Sequence, residues 1–387
     1  MMSNRRLWAC FVAGVGMAAL VWLIIHGGDS QAGMHNRVSD ASVSIDTVEL
    51  GNKDQSGQVD KSSDRRNVAK VNAEGSSDQK QVIVGVYITD EKRVETVALE
   101  EYVRGVVAAE MPLEFDSVAL EAQALAARTY IVRRLLTGNV DGVPVVQTGQ
   151  QEEAQVTDTV AHQVYRSAKE MDELKTSHPQ LWKKLNDAVN RTENQILTYD
   201  GHPIDALFFS ASNGYTENSE DVFSNHLPYL RSVKSSWEGE ILVRKGTTNV
   251  ADNEFLDTVE FTLDEFYNRL GIDTIAVGAR SADNIGLRVL ERTEGHRVKM
   301  LVVGDQKFTG VQVREKLGLR SADFNWTIEK GKIRITTHGN GHGVGMSQWG
   351  AQEMAVAGKS AEQIVKTYYT GIKLEEVSKF LVNFQSK

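Results

Sequence analysis

The first residue whose type and position indicate chemistry is Glu110, at the end of a predicted amphipathic helix. Apolar residues recur with helical spacing from Leu99 to Val107, and Glu110 lies about 20° from their stripe, so it faces inward. Burial and the negative end of the helix dipole both disfavour a carboxylate, so we expect a raised pKa. A carboxyl group that is protonated near neutral pH can act as general acid at a glycosidic oxygen. A structural glutamate paired with Arg104 or Arg128 is the alternative interpretation.

The segment 338–350, HGNGHGVGMSQWG, is a second candidate and lies between a predicted strand and a predicted helix. Its glycines permit positive φ and close approach of the backbone to a ligand, which predicts a binding loop. His338 and His342 suggest zinc, but their spacing through glycines lacks the helical geometry of an HExxH motif, and a third ligand is not evident. We interpret them as polar groups lining a cleft, with Gln348 available for hydrogen bonds and Trp349 for stacking on a sugar.

The segment 210–217, SASNGYTE, places small hydroxyl and amide groups where a predicted strand ends. A well-capped turn is an equally good interpretation of this composition. Ser210 as a hydrolase nucleophile is not supported, because the segment lacks the GxSxG elbow and an ordered Asp/His set.

The elements that must position these residues can be predicted from periodicity and turn signals. Helical spacing predicts a helix over 97–109, ended by Pro112, and a second over 117–136 with Asp116 as N-cap. We also predict strands from Gln81 and over 195–199 and 206–209, hairpins over Glu294-Gly295 and Lys330-Gly331, and helices around 174–189, 264–270, 348–357 and 360–369. Helices and antiparallel hairpins without regular alternation predict an α+β fold, here around a central cleft.

The N-terminus predicts a membrane anchor. Residues 7–25 are an uncharged apolar run, long enough as a helix to cross a hydrocarbon core of about 30 Å. Two arginines precede it, so residues 1–6 are predicted to be cytoplasmic and the rest to lie outside. A cleaved signal peptide is the alternative, although the run is longer than the usual apolar region. Residues 26–80 are polar and predict a flexible linker, which leaves 81–387 as the folded part.

Composition narrows the functional classes. The chain of 387 residues has 43 Lys and Arg against 52 Asp and Glu, a formal net charge of −9, which disfavours a general nucleic-acid binder. The single cysteine, Cys10, permits no intramolecular disulfide and no thiolate metal cluster.

Four motifs in order resemble the stage II sporulation protein D family over about 80–385. They are VVAAEMP at 106–112, EAQALAARTY at 121–130, SASNGYTENSEDVF at 210–223 and HGNGHGVGMSQWGA at 338–351. The resemblance implies a membrane-anchored peptidoglycan lytic transglycosylase that cleaves glycan strands stripped of stem peptides, during engulfment of the forespore in sporulation. It also implies partnership with stage II sporulation proteins P, an amidase, and M, a membrane protein.

The resemblance implies that Glu110 is the catalytic acid and base of the domain 81–387. By motif position, the residues expected around the sugar are Gln123, Arg128, Ser210, Asn213, Tyr215, His338, His342 and Gln348. Some relatives have a Cys/His zinc site in the stretch equivalent to 156–165, where VTDTVAHQVY offers only His162 as such a ligand. No metal or other cofactor is therefore expected. The rival hypotheses are a non-catalytic glycan-binding modifier of a wall amidase and a zinc-dependent wall hydrolase.

Overall fold

The computed structural model describes residues 82–144, 153–237, 255–272 and 286–381. The predicted membrane span 7–25 and the linker 26–80 lie outside the described residues. Within those four described ranges, no helix is both long enough and apolar enough to cross a membrane.

The N-terminal part of the fold contains four helices. The helices are α1 (Leu99–Glu110), α2 (Ser117–Thr137), α3 (Ala168–Ser177) and α4 (Pro179–Arg191). The predicted N-cap of α2 is confirmed, because the Asp116 carboxylate accepts a hydrogen bond of 2.9 Å from the Val118 N–H. Helix α2 is buried on several faces, and its small side chains, such as Ala122 and Ala126, let neighbouring helices approach closely.

The helical periodicity predicted around 174–189 is confirmed, but it belongs to two helices, which meet at His178. Pro179 is the first residue of α4, where its missing N–H costs nothing, and it disfavours helical geometry in the residue before it. His178 accordingly has φ −135° and ψ 62°, outside the helical region.

Small sheets surround this helical layer. Their strands are β1 (Ile83–Ile88), β2 (Arg93–Ala98), β3 (Val156–Thr157), β4 (Gln195–Tyr199), β5 (His202–Pro203), β6 (Phe208–Phe209), β13 (Met346–Ser347) and β14 (Lys373–Glu376). The strand predicted over 195–199 is confirmed in full. Two pairs, β1 with β3 and β6 with β13, are parallel, so this part of the fold is not built from antiparallel hairpins alone.

A second group of elements has its own apolar core. It comprises β7 (Leu256–Thr262), α6 (Leu263–Leu270), β8 (Arg288–Arg292), β9 (Val298–Val303), β10 (Gln306–Thr309), α7 (Gly310–Leu317), β11 (Phe324–Glu329) and β12 (Lys332–His338). Both predicted hairpins are confirmed. Lys330 and Gly331, between β11 and β12, both have positive φ, 53° and 76°, as a tight hairpin turn requires.

The remaining helices are α5 (Ser219–Val222), α8 (Gln348–Val356), α9 (Ala361–Tyr368) and α10 (Ser378–Leu381). The capping box of α9 is confirmed, since Ser360 and Gln363 bond each other's backbone N–H groups. Helices α8 and α9 pack on α2, so the C-terminal elements return to the first core. The prediction of a mixed α+β fold is confirmed.

Candidate active site

Glu110 is the last residue of α1, and its carboxyl group has neutral hydrogen-bond donors. The Val164 N–H donates to Oε1 over 2.8 Å, and Nε2 of Gln348 lies 3.4 Å from Oε2. Burial raises the pKa of Glu110 to about 7, and these two hydrogen bonds offset only part of that effect. The group can therefore change protonation state near neutral pH.

The structure excludes the alternative in which Glu110 is paired with Arg104 or Arg128. The Arg128 guanidinium binds both carboxylate oxygens of Glu100, at 2.8 and 2.7 Å. Arg104 donates to the side chain of Asn186 over 2.9 Å. Among the described residues, no cation forms an ion pair with Glu110, so its proton is not displaced by a neighbouring charge.

A segment that crosses the end of α1 positions the Val164 donor. The Arg166 N–H donates to the Gly105 carbonyl over 3.2 Å, and the Tyr165 N–H donates to the Asp158 carbonyl over 3.3 Å. Gly105 is required here, because a Cβ on it would lie 2.3 Å from the Tyr165 ring. Val164 is not among the predicted site residues, since a backbone donor leaves no signal in the identity of its side chain.

The Gln348 donor is placed by the first turn of α8, where Ser347 is the N-cap and accepts a bond of 3.2 Å from the Gly350 N–H. The Trp349 N–H donates to the Ser210 carbonyl over 3.0 Å, so the two motifs meet at this point. The proposed sugar-stacking role of Trp349 is wrong. Its ring is buried against Phe115 and Phe255, with centroids 4.7 and 5.6 Å away.

Three of the predicted site residues lie around a pocket that Glu110 does not line. Nδ2 of Asn213 donates to the Gly295 carbonyl and to the Asp323 carboxylate, each over 2.9 Å. The Tyr215 ring packs edge-on against His296, with centroids 4.6 Å apart. The pocket has a volume of about 300 Å³ and is lined by Arg292, His296, Asp323, Phe324, Asn325 and His338. We call it the distal pocket.

His342 is packed as a structural residue. Its Nδ1 accepts a hydrogen bond of 3.1 Å from the Val344 N–H, and its ring contacts Phe209 and Phe223. Burial, followed by the charges of Arg314 and Arg297, lowers the pKa of His342 to about 3. The ring is therefore neutral at physiological pH.

Neither Arg128 nor Gln123 forms a hydrogen bond with the Glu110 carboxyl group. Both are fully buried on α2, and Arg128 holds Glu100 of α1 there. The amide of Gln123 and the hydroxyl of Ser210 are buried without a hydrogen-bond partner among the described residues.

The described residues contain no group of three or more His, Cys, Asp or Glu side chains that could hold a metal ion. The ring nitrogens of His162 are used in hydrogen bonds. Nδ1 accepts from the Thr157 N–H over 3.1 Å, and Nε2 donates to the Asp141 carbonyl over 3.0 Å.

Comparison with known proteins agrees with the motif resemblance. Residues 87–199 match a family model described as stage II sporulation protein. The chain is 44% identical to stage II sporulation protein D of Bacillus amyloliquefaciens, covering 81% of this chain and 85% of that protein. It is 42% identical to the Bacillus subtilis (strain 168) protein of the same name, covering 79% and 82%. An amidase enhancer of Bacillus subtilis is 28% identical, covering 70% of this chain and 40% of the enhancer. The chain belongs to the stage II sporulation protein D family.

Proposed function

We propose that the chain is a peptidoglycan lytic transglycosylase that cleaves peptide-free glycan strands, with Glu110 as general acid and then general base. The observation that carries this proposal is the Glu110 carboxyl group, whose pKa is about 7. It accepts hydrogen bonds from two neutral donors and forms no ion pair among the described residues. A general acid works best when its pKa lies near the working pH.

One carboxyl group is enough for this reaction. Protonated Glu110 gives its proton to the glycosidic oxygen as the bond to muramyl C1 breaks, through an oxocarbenium-like transition state. The C6 hydroxyl of the same sugar then attacks C1, and the Glu110 carboxylate takes the proton of that hydroxyl. The product carries a 1,6-anhydro-muramyl end, and Glu110 returns to its protonated form.

Under this proposal the residues 7–25 anchor the chain in the cell membrane, with the catalytic domain outside the cytoplasm on the linker 26–80. The setting is engulfment of the forespore, together with the amidase stage II sporulation protein P and with stage II sporulation protein M. The amidase removes stem peptides and so supplies the strands that this chain cleaves. These assignments rest on the resemblance and on the apolar N-terminal run.

The second candidate is a non-catalytic modifier of a wall amidase that binds glycan. The similarity to an amidase enhancer supports it, at 28% identity over 314 residues.

Digestion of peptide-free glycan strands by the full chain, purified in detergent, separates these functions. Products are identified by mass spectrometry, in parallel with Glu110→Gln, which keeps an acceptor for the Val164 N–H but cannot transfer the proton. We expect anhydro-muramyl ends from the parent chain and a loss of at least about 100-fold in the variant. Activity should persist in EDTA.

Three other results would contradict the proposal. Reducing ends would indicate hydrolysis by water. Glycan binding without any cleavage, equal in the parent and the variant, would favour the amidase modifier. Loss of cleavage in EDTA would favour the zinc-dependent hydrolase.

A further inference from the structure

The distal pocket lies in the second group of elements, beyond the stretch 87–199 that matches the family model. Its lining mixes hydrogen-bond donors and acceptors: the Arg292 guanidinium, the Asn325 amide, the His338 ring and the Asp323 carboxylate. The Arg292 charge is balanced, because its Nη1 lies 3.2 Å from the Asp323 carboxylate. Such a lining favours a neutral ligand that is rich in hydroxyl and amide groups.

The polar groups of the pocket are held in place before any ligand arrives. The Asp323 carboxylate is bound from one side by Asn213, at 2.9 Å, and from the other by Arg292. Nδ2 of Asn325 lies 3.2 Å from Nε2 of His338. His296 has φ 68°, a left-handed conformation that is uncommon for a residue other than glycine. Fixed donors and acceptors lower the entropic cost of binding.

A hydrogen-bonded backbone connection joins this pocket to the Glu110 centre. Ser210 accepts the N–H of Trp349, the residue after Gln348, and the chain continues from Ser210 to Asn213 at the pocket. Ala211 and Asn340 exchange two backbone hydrogen bonds, of 3.0 and 2.7 Å. Segment 210–213 therefore connects the backbone beside Gln348, which donates to Glu110, with the pocket.

We propose that the distal pocket is a second glycan subsite, which holds one N-acetylated sugar of the strand away from the scissile bond. This inference rests on the proposed function, because it assumes that glycan is the ligand of the Glu110 centre. It accounts for Asn213, Tyr215 and His338, three motif residues with no described contact to Glu110. The subsite selects strands long enough to reach from Glu110 to His338.

The test measures binding of peptide-free glycan strands of defined lengths to the full chain carrying Glu110→Gln, so that cleavage does not interfere. Asn325→Ala and His338→Ala are added singly to this background. Asn325 is exposed on β11, so its replacement is compatible with folding. Thr327→Ala is the matched control, since Thr327 is exposed two residues further along the same strand and does not line the pocket.

We expect each pocket variant to bind long strands about tenfold more weakly, as loss of hydrogen bonds to a ligand predicts, and the control to bind like its parent. The preference for long strands over short ones should shrink accordingly. Unchanged affinity of both pocket variants for long strands would overturn the subsite, even if the parent chain cleaves glycan as proposed. Failure of the parent to bind or cleave strands of any length would overturn the proposed function, and the subsite with it.

Discussion

At the scale of single residues, two opposing effects set the pKa of Glu110 and make it a proton donor. Burial penalises its carboxylate, while the Val164 N–H and the Gln348 amide stabilise it, and burial has the larger effect. Arg104 and Arg128 would reverse this balance, but both guanidinium groups bind other side chains. The same type of residue at the end of a helix would otherwise be an ordinary ionised glutamate.

The pH dependence of cleavage follows from this balance. A general acid must be protonated, so activity should fall by about tenfold per pH unit above the Glu110 pKa of about 7. Initial rates of cleavage between pH 5 and pH 9 measure this fall in activity. Glycan binding by Glu110→Gln at the same pH values is the control for effects of pH on binding. A rate that stays constant up to pH 9 would contradict the role of Glu110 as acid.

The raised pKa also predicts a stability difference. The pKa of Glu110 is about 7 in the folded chain and ordinarily 4.5, so the folded state binds the proton more tightly, and the stabilisation present below pH 4.5 is lost as pH rises through 7. Glu110→Gln cannot ionise and so does not lose this stability as pH rises. At pH 8 its free energy of unfolding should exceed that of the parent by on the order of 2 kcal/mol. Urea unfolding of the parent and the variant at pH 4.5 and pH 8 measures this difference in stability. The same difference at both pH values would contradict the raised pKa of Glu110.

At the scale of elements, the glycine-rich segment 338–350 is built for close packing between strands. Gly345 has φ 80°, and a Cβ on it would lie 2.0 Å from the Leu207 carbonyl oxygen. This contact is what allows β13 to pair in parallel with β6, beside Ser210 and Gln348. The glycines therefore serve the backbone of the site as well as any ligand.

Gly345→Ala should lower the free energy of unfolding by more than about 2 kcal/mol, because it combines a left-handed conformation with a backbone clash. Gly358→Ala is the matched control, since its φ is 81° and no atom lies within 4 Å of the added Cβ. The control should cost only about 1 kcal/mol. Equal losses in urea unfolding would show that close packing at Gly345 is unimportant.

At the scale of the whole molecule, a buried ion pair links the two apolar cores. Arg297, directly before β9 of the second core, donates to the Glu217 carboxylate over 3.0 Å and to the Tyr215 carbonyl over 3.2 Å. Both side chains are almost wholly buried, at 2% and 0% exposed. Removal of one partner from such a pair leaves an uncompensated charge.

Arg297→Ala should therefore destabilise the chain by about 3–5 kcal/mol and lower its melting temperature. Arg191→Ala, which breaks the exposed pair with Glu121, is the control and should cost less than about 1 kcal/mol. Similar melting temperatures for the two variants would mean that the buried pair does not hold the cores together.

Much of this protein is encoded in local sequence patterns. The N-cap Asp116, the capping box at Ser360, the strand 195–199 and the hairpin over Lys330-Gly331 all depend on neighbouring residues, so their prediction needed no tertiary contacts. The inward position of Glu110 follows equally from helical periodicity. The four motifs were sufficient to identify the family.

Contacts between distant parts of the chain were decided only by the tertiary structure. Glu110 receives its donor from Val164, 54 residues away, and Arg128 binds Glu100 instead of Glu110. The parallel pairing of β6 with β13 and the burial of Trp349 likewise join distant segments. A local pattern specifies which face of an element is buried, but the partner on that face is set by packing of the whole chain, which no short window of sequence contains.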